Sequence, residues 1–246
     1  MRPYELFLPA RASAPYPLVL ILPVLGRILF LPDLWIEKGI ARFFARNGFA
    51  AAVIRRDFFC FQPGQGIEQV GQYLAEAVKR ARESLDTLLQ RPDIHGGTVV
   101  SLGISFGGLI NVLLAASEPR IKACVFALAG GNVPEIITTS RDPLVSAYRR
   151  DILKGLKLDS ERFTKNLRAS LREEPLDAAQ AIPAEKTLMI ISKLDRVVFP
   201  RYALALWEAL HKPETIFLPV GHYFAILLIP YLQRKALEFF RKKLGV

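Results

Sequence analysis

Apolar positions along the chain fall into two alternating patterns. In the first they run without interruption. Leu18-Val19-Leu20-Ile21-Leu22, Phe49 to Ile54, Ile121 to Leu128 and Thr187 to Ser192 are short and rich in branched residues. Such runs predict strands covered on both faces. In the second pattern apolar residues return every three or four positions. Leu34, Ile40, Phe43 and Phe44 do so over Asp33 to Arg46, and Asn47-Gly48 supplies a C-terminal stop. Ile67, Val70, Leu74, Val78, Ala81, Leu85 and Leu88 form the stripe of a long amphipathic helix, ended by Pro92 and a His95-Gly96-Gly97 turn. The strand around Val99 follows, then a helix from Gly107 to about Ser117. Further on come a helix over Tyr202 to Leu210, a last short strand over Thr215 to Leu218 and a closing helix over Pro230 to Lys243. Buried strands alternating with helices predict an α/β domain: a mainly parallel, doubly wound sheet with helices on both faces.

The alternation breaks between Gly131 and Ala184. That stretch holds no strand pattern but two helical ones: Leu144, Val145, Tyr148 and Ile152, then Phe163, Leu167 and Leu171 behind an Asp159-Ser160 cap. Ligands of open α/β sheets bind at the carboxyl edge of the strands, so residues 131–184 are read as a helical lid insert over that edge. A peripheral excursion away from the site is the alternative.

Composition narrows the setting. A chain of 246 residues, 51% of them apolar, suffices for one domain with a large core. Two cysteines make no disulfide framework. Cys124 lies in an apolar run as a small buried hydrophobe, and the loop residue Cys60 has no assigned role. The N-terminus, with Pro3, Glu5 and Pro9, lacks the layout of a signal peptide, and the apolar stretch Leu18 to Leu31 is broken by Pro23, Gly26 and Arg27. A cytoplasmic location is expected. The formal net charge is +10, but the small basic clusters (Arg149-Arg150, Lys154, Lys157, Arg241-Lys242-Lys243) are not interleaved with aromatics. They are solvated helix faces with no nucleic-acid groove, leaving weak contact with an anionic membrane open.

The chemistry enters at Val99-Val100-Ser101-Leu102-Gly103-Ile104-Ser105-Phe106-Gly107-Gly108-Leu109, which is strand, tight Gly-x-Ser-x-Gly turn and helix start in succession. That context makes a nucleophile elbow, in which the serine oxygen is lifted off the sheet edge and glycines permit close crossing of strand and helix. A serine hydroxyl attacks only if a base takes its proton, and the base needs an acid to orient it. In chain order these should follow as Asp or Glu after a later strand and His after the last strand. Asp195 stands just beyond the Thr187–Ser192 run and His222 just beyond Leu218. Of the other two histidines, His95 precedes the elbow strand and His211 ends a helix; Asp177 and Glu214 are poorer candidates for the acid. The oxyanion hole should use the N–H of Phe106 and one from the loop Pro23-Val24-Leu25-Gly26, with Leu25 preferred and Val24 as the alternative.

On Gly103-Ile-Ser105-Phe-Gly107-Gly108, Lys193-Leu-Asp195-Arg-Val-Val and Gly221-His222, the chain resembles the α/β-hydrolase superfamily, and within it the small lidded hydrolases of the dienelactone hydrolase and carboxylesterase kind. The resemblance runs from Leu18 to the final helix. It departs at Pro23-Val24, where members often carry His-Gly. It implies acyl transfer to Ser105, with His222 as base and Asp195 as its partner. It implies no cofactor and no metal, and the chain carries neither a His-Glu-x-x-His nor a phosphate-binding glycine motif.

Phe58, Phe59 and Phe61 follow the second strand, and Tyr223 to Ile229 follow His222 without a charge. Both point to a hydrophobic small-molecule ester. The second run is either a buried turn under the lid or a membrane contact. Three functions stay open: a serine esterase of hydrophobic esters, a peptidase, thioesterase or acyltransferase on the same triad, and a binding protein without turnover.

Overall fold

A computed structural model describes residues 3–25, 34–56, 61–62 and 64–246. Seven strands form one sheet: β1 (Tyr4–Phe7), β2 (Tyr16–Leu22), β3 (Ala50–Ile54), β4 (Ile94–Ile104), β5 (Ile121–Ala127), β6 (Thr187–Ser192) and β7 (Glu214–Leu218). Their order across the sheet is β1-β3-β2-β4-β5-β6-β7. Only β1 is antiparallel to its neighbour, pairing Tyr4 with Ile54 and Phe7 with Ala51; every other pair is parallel. The parallel run puts the carboxyl ends of β2, β4, β5, β6 and β7 along one edge, where their loops meet.

Helices α1 (Trp35–Arg46) and α9 (Ile229–Leu244) cover one face of the sheet; α2 (Glu68–Leu89), α3 (Phe106–Ser117) and α8 (Pro200–Ala209) cover the other. The alternation of strand side chains explains the division. Val19, Ile21, Val100 and Leu102 face α1 and α9, while Leu18, Leu20, Leu22 and Val99 face α2 and α3. Phe44 of α1 is fully buried and meets Phe49 edge-on at 5.7 Å and Phe240 of α9 at 5.8 Å. Truncating such a ring costs about 3–5 kcal/mol.

Two features depart from the sequence pattern. β1 is an added edge strand that only four residues define, with Tyr4 alone buried. The His95-Gly96-Gly97 segment is not a turn but the start of β4, which pairs back to Tyr16 through a register shift between Tyr16 and Leu18. His95 therefore lies at the amino end of its strand, opposite the loop edge. The first helix start at Asp33 and the loop residues Phe58, Phe59 and Cys60 fall outside the described residues.

Between β5 and β6 the chain forms α4 (Val133–Thr139), α5 (Pro143–Gly155), α6 (Ser160–Ser170) and α7 (Pro175–Ala178), then two 3-10 turns, Ala179–Ala181 and Ala184–Lys186. Asp142 caps α5 by accepting the Val145 N–H at 2.9 Å, with Pro143 at the first helical position. Asp159 caps α6 in the same way through Arg162 N–H at 2.8 Å. Val145, Tyr148 and Ile152 face inward, whereas Leu144 is exposed. Among the described residues no helix is long and apolar enough to cross a membrane.

Candidate active site

Ser105 sits between the last residue of β4 and the first of α3, with φ 54° and ψ −121°. An L-residue adopts that backbone only at a cost of order 1–3 kcal/mol, so the surroundings must enforce it. They do so on both sides. The Ser105 N–H donates to the Ala127 carbonyl at 2.8 Å, and the Ser105 carbonyl accepts from Gly108 N–H at 2.9 Å. The flanking glycines are required by space. A Cβ on Gly103 would lie 2.1 Å from the Gly107 carbonyl oxygen, and one on Gly107 would lie 2.6 Å from that of Leu22. Strand and helix thus cross at backbone contact, which turns the Ser105 side chain out of the sheet.

Asp195 and His222 come from adjacent loops laced together by hydrogen bonds. Lys193 N–H donates to Leu218 carbonyl at 2.8 Å, Leu194 N–H to Val220 carbonyl at 3.2 Å, and the Ser192 hydroxyl also to Val220 carbonyl. This extends the β6–β7 pairing past the strand ends and holds the two loops in register. The buried carboxylate of Asp195 is fixed through Oδ1, which accepts from Val197 N–H at 2.7 Å and Val198 N–H at 2.9 Å. Its Oδ2 lies 2.6 Å from His222 Nδ1, and His222 Nε2 lies 2.9 Å from Ser105 Oγ. With Nδ1 carrying the ring proton, Nε2 is the acceptor facing the serine hydroxyl. The structure brings together Ser105, Asp195 and His222, which are 117 and 27 positions apart in their two pairs. It leaves His211, Asp177 and Glu214 at the exposed surface.

Phe106 opens α3, so its N–H has no intrahelical acceptor and the positive end of the helix dipole lies beside Ser105. In the loop after β2 the structure separates the two candidate donors. Val24 N–H donates to Glu37 Oε1 at 2.9 Å, and Arg56 donates to the Val24 carbonyl. Val24 is thus held on both sides, its N–H already engaged. Glu37, 2% exposed on the inner face of α1, was not singled out from sequence. Its signal was a charge at a helical core position, one residue past Ile36 and three before Ile40.

The helical segment bonds to the loops of Asp195 and His222 and reaches the elbow through Phe61. Arg141 N–H donates to the Arg196 carbonyl at 2.9 Å, beside Asp195. Tyr223, next to His222, donates its hydroxyl to Asp142 Oδ2 at 2.5 Å and sets its ring nearly perpendicular to the His222 ring at 5.6 Å. Burial and the Asp142 carboxylate push the Tyr223 phenol well above its ordinary pKa, so it remains a donor. Tyr148 of α5 packs on Phe61 at 4.9 Å, and Phe61 packs on Phe106 at 6.0 Å. Phe61 is therefore a buried link between the segment and the elbow, not an open pocket wall. An apolar cavity of about 50 Å³ lies on the α1/α9 face, lined by Ile104, which precedes Ser105, and by Ala225 and Ile226, which follow His222. Among the described residues no group of three or more His, Cys, Asp or Glu is placed to hold a metal ion.

The sequence pattern of the family described as BAAT / Acyl-CoA thioester hydrolase C terminal matches residues 81–195, which include Ser105 and Asp195. No curated protein matches the chain. Among solved structures, Est1E from Butyrivibrio proteoclasticus with ferulic acid bound superposes with a TM-score of 0.72 at 16% identity, over 99% of this chain and 95% of that one. An acetyl xylan esterase from Paenibacillus sp. R4 gives 0.69 at 17% identity, over 98% and 79%. A Mycobacterium tuberculosis puromycin-hydrolyzing peptidase gives 0.67 at 18% identity, over 98% of this chain and 37% of that one. With its mostly parallel seven-stranded sheet and flanking helices, the chain has the α/β-hydrolase fold.

Proposed function

We propose that this chain of α/β-hydrolase fold is a serine hydrolase that cleaves carboxylic esters through an acyl-enzyme. Ser105 Oγ attacks the ester carbonyl as His222 Nε2 takes its proton. Asp195 holds the imidazole and stabilises its charged form. The N–H groups of Phe106 and Leu25 receive the developing oxyanion. His222 then delivers its proton to the leaving alkoxide. Water deprotonated by His222 attacks the acyl-Ser105 carbonyl, and the collapse returns the proton to Ser105 and releases the acid. The observation that carries this reading is the unbroken relay of 2.9 Å and 2.6 Å from a backbone-strained serine to a buried carboxylate. Residues 131–184 serve as a lid, supported by their bonds to the Asp195 and His222 loops and their packing on Phe61 beside the elbow.

A second reading, thioester cleavage on the same residues, is favoured by the family whose pattern spans the elbow and Asp195. One panel separates the two: p-nitrophenyl esters of increasing chain length, acyl-CoA thioesters and aminoacyl amides, beside labelling by a fluorophosphonate. The ester reading expects ester turnover above the other classes and labelling that Ser105→Ala abolishes. Labelling without turnover of any ester rejects it, and absence of labelling rejects the triad.

A further inference from the structure

The segment after His222 presents apolar side chains to solvent. In the 3-10 turn Tyr223–Leu228 only Ala225 is buried; Phe224 is 68% exposed and Leu227 75%. Single exposed apolar residues are ordinary, but these run together. Phe224, Leu227 and Tyr231 recur at three and four positions, so they share one face of the continuous turn into α9. α1 abuts the same turn, since Ile36 and Ile226 line one cavity, and the neighbouring Trp35 is exposed. Beyond Tyr231 the face changes character to Arg234 and Lys235, and α9 carries five basic residues against the single acid Glu238, which pairs with Lys235. On the other flank Leu194 is exposed, and the preceding Lys193 lies over the Phe217 ring at 5.3 Å.

Charge decides between the occupants such a face could take. A second copy would bring together two chains of formal charge +10, and self-repulsion opposes that. An anionic bilayer gains from the same charge, and an apolar strip bordered by Lys and Arg with Tyr and Trp at its margin is the composition of an element lying in a membrane interface. With no described helix fit to cross a membrane, contact is to the surface. We infer that this face docks on an anionic phospholipid surface, with Phe224 and Leu227 entering the boundary between headgroups and acyl chains and Lys193, Arg234 and Lys235 meeting the headgroup phosphates. Docking there turns the His222 side of the site toward the lipid. The inference goes beyond the ester-hydrolase reading and needs no turnover.

The test is co-sedimentation of the full chain carrying Ser105→Ala with vesicles of mixed phosphatidylcholine and phosphatidylglycerol, and with phosphatidylcholine alone, at low and high salt. Binding to the mixed vesicles, weakened by salt and reduced about tenfold or more by Phe224→Ser with Leu227→Ser, is expected. A blue shift of tryptophan emission on binding, lost in Trp35→Phe, places the contact at this face. The Phe224/Leu227 variant keeps the cooperative thermal melt of its parent, which shows that it folds. Should it fail to fold, Lys193→Glu with Arg234→Glu tests the same face and is expected to lower binding about tenfold. No binding to anionic vesicles, or binding untouched by these substitutions, overturns the inference. So does a dimer at sedimentation equilibrium that the Phe224/Leu227 substitutions dissociate.

Discussion

Glu37 Oε1 accepts the Val24 N–H at 2.9 Å, tying the inner face of α1 to the loop that follows β2. The proposed donor Leu25 is the next residue, so this bond sets where its N–H points. Glu37→Leu leaves a backbone donor unsatisfied, at a cost of about 1–3 kcal/mol, and frees the loop. The expected outcome is a kcat lowered about tenfold with KM little changed, because an oxyanion donor acts in the transition state. Glu37→Gln retains an acceptor oxygen and is expected to stay within about threefold of the parent. Steady-state kinetics on a soluble ester, paired with a thermal melt, decides the matter. Lost stability with unchanged kcat would make Glu37 a structural residue only.

A nucleophile, base and acid of this kind act as a unit, so losses from the proposed relay should not add. Ser105→Ala and His222→Ala are each expected to lower kcat by about 10⁴-fold or more, and the double variant by little beyond either. Asp195→Asn is expected to cost somewhat less, about 10³–10⁴-fold, since the Asn side chain still reaches Val197 and Val198 N–H but no longer favours the Nδ1 proton on His222. Turnover of one ester by the four variants measures this. Additive losses would show that the three side chains work independently.

Ser105 stores strain, and two substitutions isolate it. Glycine adopts φ 54°, ψ −121° freely, and alanine does not. Relief of about 1–3 kcal/mol is offset by about 0.4–1 kcal/mol of added unfolded-state entropy, so Ser105→Gly should be more stable than Ser105→Ala by about 1 kcal/mol. Both lack the proposed nucleophile, and denaturant unfolding compares them directly. Equal stability would mean that the elbow relaxes in solution.

Burial pushes the Cys124 thiol up to about 12, leaving it protonated at neutral pH. In a Cys60→Ser background, native protein is expected to react with a disulfide reagent only at the rate of its unfolding. Rapid modification under native conditions would show that β5 opens at its Lys186 neighbour.

The sheet and the relay were legible in sequence for one reason: both are written in short local signals. A run such as Leu18 to Leu22 is apolar on every position only where both faces are covered, and Gly103-Ile-Ser105-Phe-Gly107 announces a backbone crossing that no other residues would survive. From the elbow, chain order alone pointed to Asp195 and His222. The errors lay where local signals are weak. β1 is four residues whose only buried side chain is Tyr4, and the Gly96-Gly97 pair mimics a turn though it lies within β4, in the irregular stretch between the Tyr16–Ile94 and Leu18–Val99 pairs. Glu37, Asp142 and Phe61 went unseen as site residues because each gains its role from a partner distant in sequence, and a one-dimensional pattern carries no sign of that partner.

Asp142 joins two structures with one carboxylate. Oδ1 caps α5 through Val145 N–H at 2.9 Å, and Oδ2 takes the Tyr223 hydroxyl at 2.5 Å, beside the His222 ring. Any shift of α5 therefore pulls on the residue next to the proposed base. Tyr223→Phe removes the link and leaves the ring. Asp142→Asn keeps an oxygen for the cap but turns an amide toward Tyr223, weakening the link while holding α5. Each is expected to lower kcat about threefold to tenfold, more for long acyl chains that meet residues 131–184 than for acetyl. The double variant should show a coupling of about 1 kcal/mol, within the range found for contacting residues. Kinetics of the four proteins across an ester series gives that number. Full additivity would show that the bond between Tyr223 and Asp142 is not maintained in solution, and an equal loss for acetyl and long-chain esters would show that it positions His222 without involving the helical segment in substrate choice.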